Sequence, residues 1–179
     1  AYANLNARLG RWALDANLYR TRDSGAARAG NIDTLAYSLL GSLQLGAHGL
    51  SLGYQRVEGD TPFDFVGGDS IYLANSAKYA DFNGPGERSW QLRHDYNFAG
   101  MGIPGLTIMN RYISGDRIEA GGVDDGKEWG RESELAYTVQ SGPFKSLNIK
   151  WRNSSIRRDF STNEFDENRL IFNYPLSVL

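Results

Sequence analysis

The stretch GDTPFDFVGGDSIYLANSAKYADFN, residues 59–83, is too rich in glycine and too interrupted to be one regular element. The residues on either side of it decide the fold. Leu50, Leu52 and Tyr54 lead in, and Trp90, Leu92, His94, Tyr96 and Phe98 lead out, with the residues between them mostly small or polar. Alternation of this kind is the signature of a strand with one apolar face. The connection between the two runs, about 58–88, is roughly thirty residues long, far beyond an ordinary connection, and loops of that length are functional or disordered. Phe63, Phe65, Tyr72, Tyr79 and Phe82 argue against disorder. We read the segment as a loop that folds into a pore and narrows it.

The same period of two recurs in nine segments from Ala3 to Tyr174. The first four apolar sets begin at Ala3, Leu14, Leu35 and Leu50. The last five begin at Trp90, Leu106, Leu135, Leu147 and Leu170. The connections sort by length. Short turns are expected at Gly10, 46–49, 99–105 and 141–146, and long loops at 21–33, about 58–88, 115–130 and 157–167. Short turns on one side and long loops on the other are how an outer-membrane barrel is built, whereas a soluble sandwich has no reason to sort its loops this way. The expected fold is all-β, a transmembrane antiparallel β-barrel, with 1–179 forming a single domain.

Composition agrees with this reading. The formal net charge of −2 gives no basic field to attract nucleic acid. Cysteine is absent, so disulfides and thiolate metal sites are excluded. The mean hydropathy of −0.46 leaves no window near the ~18 apolar residues of a spanning helix, and barrel strands are invisible to such an average. Tyr54, Trp90, Tyr96, Phe98, Tyr112, Tyr137, Trp151, Phe172 and Tyr174 share the apolar face, as interfacial girdles require. The opposite face carries Arg8, Asp15, Asn17, Gln55, Gln91, Arg93, Asp95, Arg111, Glu134, Lys150, Arg152 and Arg169, a wall suited to a water-filled lumen.

Enzymatic chemistry finds no support. The two histidines, His48 in a short turn and His94 on the apolar face, do not suit a triad, which needs a base beside its nucleophile. Asp116, Asp124 and Asp125 lack the spacing of a calcium loop, and are read as solvated, with lipopolysaccharide nearby. No glycine motif for phosphate opens a helix. No cofactor and no metal are expected.

The stretches GDTPFDFVGGDSIYLANS (59–76), YADFNGPGERSWQLRHDYNFAGMGIPGLTIMNRY (79–112), DGKEWGRESELAYTVQSGP (125–143) and DENRLIFNYPLSVL (166–179) resemble the C-terminal half of the OprD family, substrate-specific porins of pseudomonads. The resemblance implies a monomeric outer-membrane barrel of about eighteen strands. It also implies passage of small carboxylate-bearing nutrients, a ladder of basic side chains on the lumen wall, and a constriction made by inward-folding loops. Nine strands are half of such a barrel, and a sheet with two open edges cannot sit in lipid. The chain is therefore expected to be a fragment or to pair with further N-terminal strands.

A carboxylate entering a narrow pore loses hydration, which guanidinium groups in series replace with bidentate hydrogen bonds. Passage needs binding that is favourable, weak and multi-site. Arg8, Arg93, Arg111, Lys150, Arg152 and Arg169 are the cations of pore-facing parity assigned to the ladder, with Asp15, Asp95 and Glu134 as competing partners. Asp69, Ser70 and Tyr72 are assigned to the constriction loop. Arg93 and Arg111 lie about equally far from the turn at 99–105, so they should stand side by side. The other reading is a structural or adhesive outer-membrane barrel with a plugged lumen.

Overall fold

The computed structural model describes residues 1–23, 31–63, 72–120 and 122–176. Nine strands form one sheet in sequence order, every neighbouring pair antiparallel. They are β1 (Tyr2–Leu9), β2 (Trp12–Arg22), β3 (Asp33–Leu45), β4 (His48–Glu58), β5 (Arg88–Asn97), β6 (Leu106–Ala120), β7 (Val123–Thr138), β8 (Asn148–Arg158) and β9 (Phe165–Asn173). The described residues contain no α-helix, only a 3-10 turn at Phe98–Met101 after β5. The β1–β2 and β3–β4 hairpins are set by local chemistry. Gly10 and Gly46 adopt φ of 58°, the left-handed conformation that a two-residue turn demands and a side chain resists.

Alternation sorts the two faces as the sequence predicts. Partners across an antiparallel pair share a face, so Leu52, Leu92 and Tyr112 form one outward row, and Ser51, Arg93 and Arg111 one inward row. The outward apolar residues are bare: Leu92 is 60% exposed and Leu170 63%. In water that would be a liability; in a bilayer it is the lipid-facing surface.

Two expectations change. Residues 115–130 are not a long loop, because β6 continues to Ala120 and β7 begins at Val123, with register shifts between Gly115 and Ala120. Asp124, Asp125 and Lys127 interrupt the apolar pattern, yet the backbone ladder persists, since hydrogen bonding between strands does not need an apolar face. His48 is the first residue of β4, not a turn residue, and its Nδ1 lies 3.0 Å from Nε2 of His94.

The buried core lies between the inward face and the loop after β4. Phe63 and Leu73 pack on Ala36 and Val57, and Ala77 and Phe82 pack on Ile113 and Ile156. The sheet therefore has a dry patch under the loop and a wet wall beside it.

Candidate functional site: the inward wall and the loop on it

Reading across the pairs, one inward row runs Arg8, Ala13, Ser42, Ser51, Arg93, Arg111, Glu132, Ser154, Glu167 from β1 to β9. Its left part, with Arg11 from the first turn, Gln91 and Asp95, lines a cavity of about 550 Å³. Four arginines face that space against a single carboxylate, Asp95. The next row, one step toward the short turns, holds Asp95, Met109, Glu134, Arg152 and Arg169, and the row after it holds Ala136, Lys150 and Ile171. The six sequence-assigned cations thus stand on one face, at three successive levels.

Most of them already have an acid. Arg93 grips Asp95 through Nε and Nη2 at 2.7 Å. Arg111 donates to Glu132, and Arg152 bridges Glu132 at 3.0 Å and Glu134. Lys150 reaches Glu134 at 3.3 Å, and Arg169 reaches Glu167 at 2.7 Å. Glu132 is 2% exposed and Arg152 5%, so this cluster survives only because each charge is hydrogen-bonded. Arg8 is exposed and makes no ion pair among the described residues. Asp15 instead accepts from Asn17.

On the side away from the short turns lies an apolar row, Ile113, Gly130, Ile156 and Phe165. The loop rests there. A Cβ on Gly130 would stand 2.6 Å from Tyr79 Cε2 and 3.1 Å from Phe82 Cζ. Gly53 likewise leaves room for Asn75, whose Oδ1 would be 2.9 Å from an added Cβ, and Gly115 for the Glu87 carboxylate. Three inward-facing glycines on β4, β6 and β7 are therefore notches cut for loop side chains.

Polar bonds hold the loop in those notches. The Gln55 side chain donates to Phe82 O at 2.7 Å and accepts from Asn75 N at 2.8 Å, while Asn75 Nδ2 donates to Ser89 Oγ at 2.8 Å. Arg56 Nη1 donates to Gly86 O at 2.7 Å. Tyr79 lies against the Arg111 guanidinium, 6.0 Å from ring centroid to Cζ. Burial raises its hydroxyl above the usual phenol range, and that hydroxyl has no hydrogen-bond partner among the described residues. Burial, followed by the neighbouring Glu128 carboxylate, raises the Glu87 carboxyl well above its ordinary value, while Gly84 N donates to its Oε2 at 2.8 Å.

Asp69 and Ser70, assigned to the constriction, lie outside the described residues. Tyr72 does not come to the arginine row. It stands beside Tyr2, with ring centroids 6.1 Å apart, and its backbone N–H donates to Tyr19 Oη at 3.2 Å. Tyr2 is six positions along β1 from Arg8, about 20 Å at strand rise. Tyr79 is the loop aromatic that meets the ladder. The sequence reading also passed over Arg11, Glu132 and Glu167. Glu132 sits at the same inward parity as Glu134, but the outward residues before Leu135, Arg131 and Ser133, are polar, so no apolar alternation marks the strand there.

A nine-stranded antiparallel sheet with a lipid-facing apolar side, a charged inner wall and a loop folded onto that wall is half of a transmembrane β-barrel pore. The chain belongs to the outer membrane porins of the OprD family, whose model matches residues 1–178. The porin-like protein GalP of Pseudomonas putida is 53% identical over 175 residues, which cover 96% of this chain and 42% of GalP. A crystal structure of Pseudomonas aeruginosa OccK2 (OpdF) in complex with glucuronate superposes with a TM-score of 0.88 at 53% identity, over 99% of this chain and 50% of that one. That of Pseudomonas aeruginosa OpdK with vanillate gives 0.89 at 45% identity, over 98% and 47%. The chain thus spans about half the length of the proteins it matches. Proteins of this family are outer-membrane channels of Gram-negative bacteria, not enzymes.

Proposed function

We propose that this chain supplies the C-terminal half of a channel for facilitated diffusion of small carboxylate-bearing nutrients across the outer membrane. The observation that carries the reading is the convergence of Arg8, Arg11, Arg93 and Arg111 on one cavity of about 550 Å³ with a single acid among them. Ser42 and Ser51, hydrogen-bonded to each other at 2.9 Å, complete its wall with neutral donors. Glucuronate and vanillate, bound by two relatives, are both small acids, which supports the same substrate class here.

In this mechanism Arg8 makes the first contact, because it is exposed and makes no ion pair among the described residues. Arg93 and Arg111, paired across β5 and β6, then share the carboxylate. Arg93 exchanges Asp95 for the substrate, and Arg111 exchanges Glu132. Each exchange replaces one charge-assisted bond with another, so binding stays weak enough for release. Arg152, Arg169 and Lys150 continue the path at the two lower levels, each restrained by Glu132, Glu134 or Glu167. Tyr79 supports Arg111 from the loop side, and outer-membrane lipid surrounds the apolar face.

Single-channel recording of the full-length protein in planar bilayers tests this. Discrete openings blocked by glucuronate or vanillate, and not by their methyl esters, are expected. Silent bilayers would instead favour a plugged structural barrel, and openings indifferent to the carboxylate would remove substrate selectivity.

A further inference from the structure

The outward face carries two histidines that are distant in the chain and neighbours in the sheet. His48 is the first residue of β4, next to the turn after β3, and His94 lies on β5. In the β4–β5 register His48 stands opposite Tyr96 and Leu50 opposite His94, so the two imidazoles are diagonal neighbours on one face. Their rings lie at an interplanar angle of 21° with centroids 5.3 Å apart, and Nδ1 of His48 is 3.0 Å from Nε2 of His94. The Tyr96 ring packs against His48 at 4.6 Å and against Phe98 at 4.7 Å. Aromatics at a strand end mark the boundary between lipid and water, and His48 is exposed. The pair therefore sits where the short-turn side meets water, within reach of a dissolved ion.

A hydrogen bond between the two rings uses one proton, donated by one facing nitrogen and accepted by the other. The second nitrogen of each ring makes no hydrogen bond among the described residues. When the donor ring carries its proton on that second nitrogen instead, both facing nitrogens present lone pairs and both rings stay neutral, the form in which imidazole ligates metals. Two nitrogens bound to one ion at ~2.0–2.1 Å, with a coordination angle of ~90–110°, stand ~2.8–3.4 Å apart. The observed 3.0 Å falls inside that interval. Chelation then asks for rotation of the rings, not for a change of strand register.

We propose that His48 and His94 form a bidentate site for a divalent transition-metal ion on the outward rim of the barrel. Imidazole selects Cu²⁺, Ni²⁺ and Zn²⁺ over Ca²⁺ and Mg²⁺, which take oxygen ligands, and Cu²⁺ binds most tightly of these. No group of three or more metal-ligating side chains exists among the described residues, so two protein ligands hold the ion and water fills its other positions. The site is open and exchangeable. The ion ties β4 to β5, the two strands between which the pore loop runs, and it stabilises the folded barrel by mass action.

The test titrates metal-stripped, full-length protein in detergent with Cu²⁺, followed by electron paramagnetic resonance. The native protein should bind one equivalent more than His48→Asn or His94→Asn, and the signal of that extra equivalent should show coupling to two nitrogens. Loss of either ligand should weaken the site about tenfold or more, since even a group that merely orients a metal ligand is worth that much. Zn²⁺ should raise the melting temperature of the native protein more than that of either variant, while both variants keep the heat-modifiable mobility of a folded barrel. Equal stoichiometry in native and variant proteins, coupling to a single nitrogen, a Zn²⁺ effect on melting that the variants share in full, or displacement of Cu²⁺ by excess Mg²⁺ each overturns the proposal.

Discussion

Gly130→Ala should narrow the pore without unfolding the barrel. The new Cβ would stand 2.6 Å from Tyr79 Cε2, where ordinary contact begins at 3.4 Å. Something must therefore yield by about 0.8 Å, as overpacking in a close-packed patch requires. β7 is held on both sides by β6 and β8, whereas Tyr79 sits on a loop, so the loop moves. Its only free direction is away from the wall, toward the pore axis. The strain is about 1–3 kcal/mol, visible as a lower melting temperature, and the displaced Tyr79 also lets go of Arg111. Planar-bilayer recording should show lower single-channel conductance and weaker carboxylate block. Adding Tyr79→Ala removes the clash and should restore conductance to at least the native level. A Gly130→Ala protein with native conductance and melting, or a double variant no better than the single one, would refute the notch argument.

Replacing Arg93 and Arg111 together by Gln should preserve the fold, because Arg152 still pairs with the buried Glu132, but weaken carboxylate block about tenfold or more, the scale of a charge-assisted hydrogen bond of ~1.5–3 kcal/mol. The reversal potential should shift away from anions, and an unchanged value would remove this pair from the pathway. Glu132→Gln leaves Arg111 and Arg152 without their shared acid in a nearly dry site, so thermal melting should report a loss of about 3 kcal/mol or more; a melting curve like the native one would show that the pair is dispensable. Glu87, whose carboxyl is raised in the folded state, binds its proton more tightly there than in the unfolded chain. Its stabilisation is fully present below the ordinary carboxylate range and lost as pH rises through the raised value. Loop anchorage, followed by proteolysis within 72–87, should weaken toward alkaline pH in the native protein and not in Glu87→Gln.

The class of fold was legible in the sequence because a strand with one apolar face writes a period of two into the chain, and nine such runs separated by turns leave few architectures. The parity of Arg8, Arg93, Arg111, Lys150, Arg152 and Arg169 followed from the same rule, as did the neighbourhood of Arg93 and Arg111 from their equal distance to one turn. Where both faces are wet, as around Asp124 and Lys127, the period vanishes while the hydrogen-bonded ladder does not, and the length of β6 and β7 was hidden. What only the tertiary structure decided was everything that joins residues distant in the chain. Arg8 enters the Arg93 row through four intervening strand pairings, Glu132 reaches Arg152 across one more, and Tyr79, not Tyr72, meets Arg111 because Gly130 lacks a side chain. Such pairings depend on the register of every strand between them and on the space left at one position of the wall, neither of which local periodicity encodes.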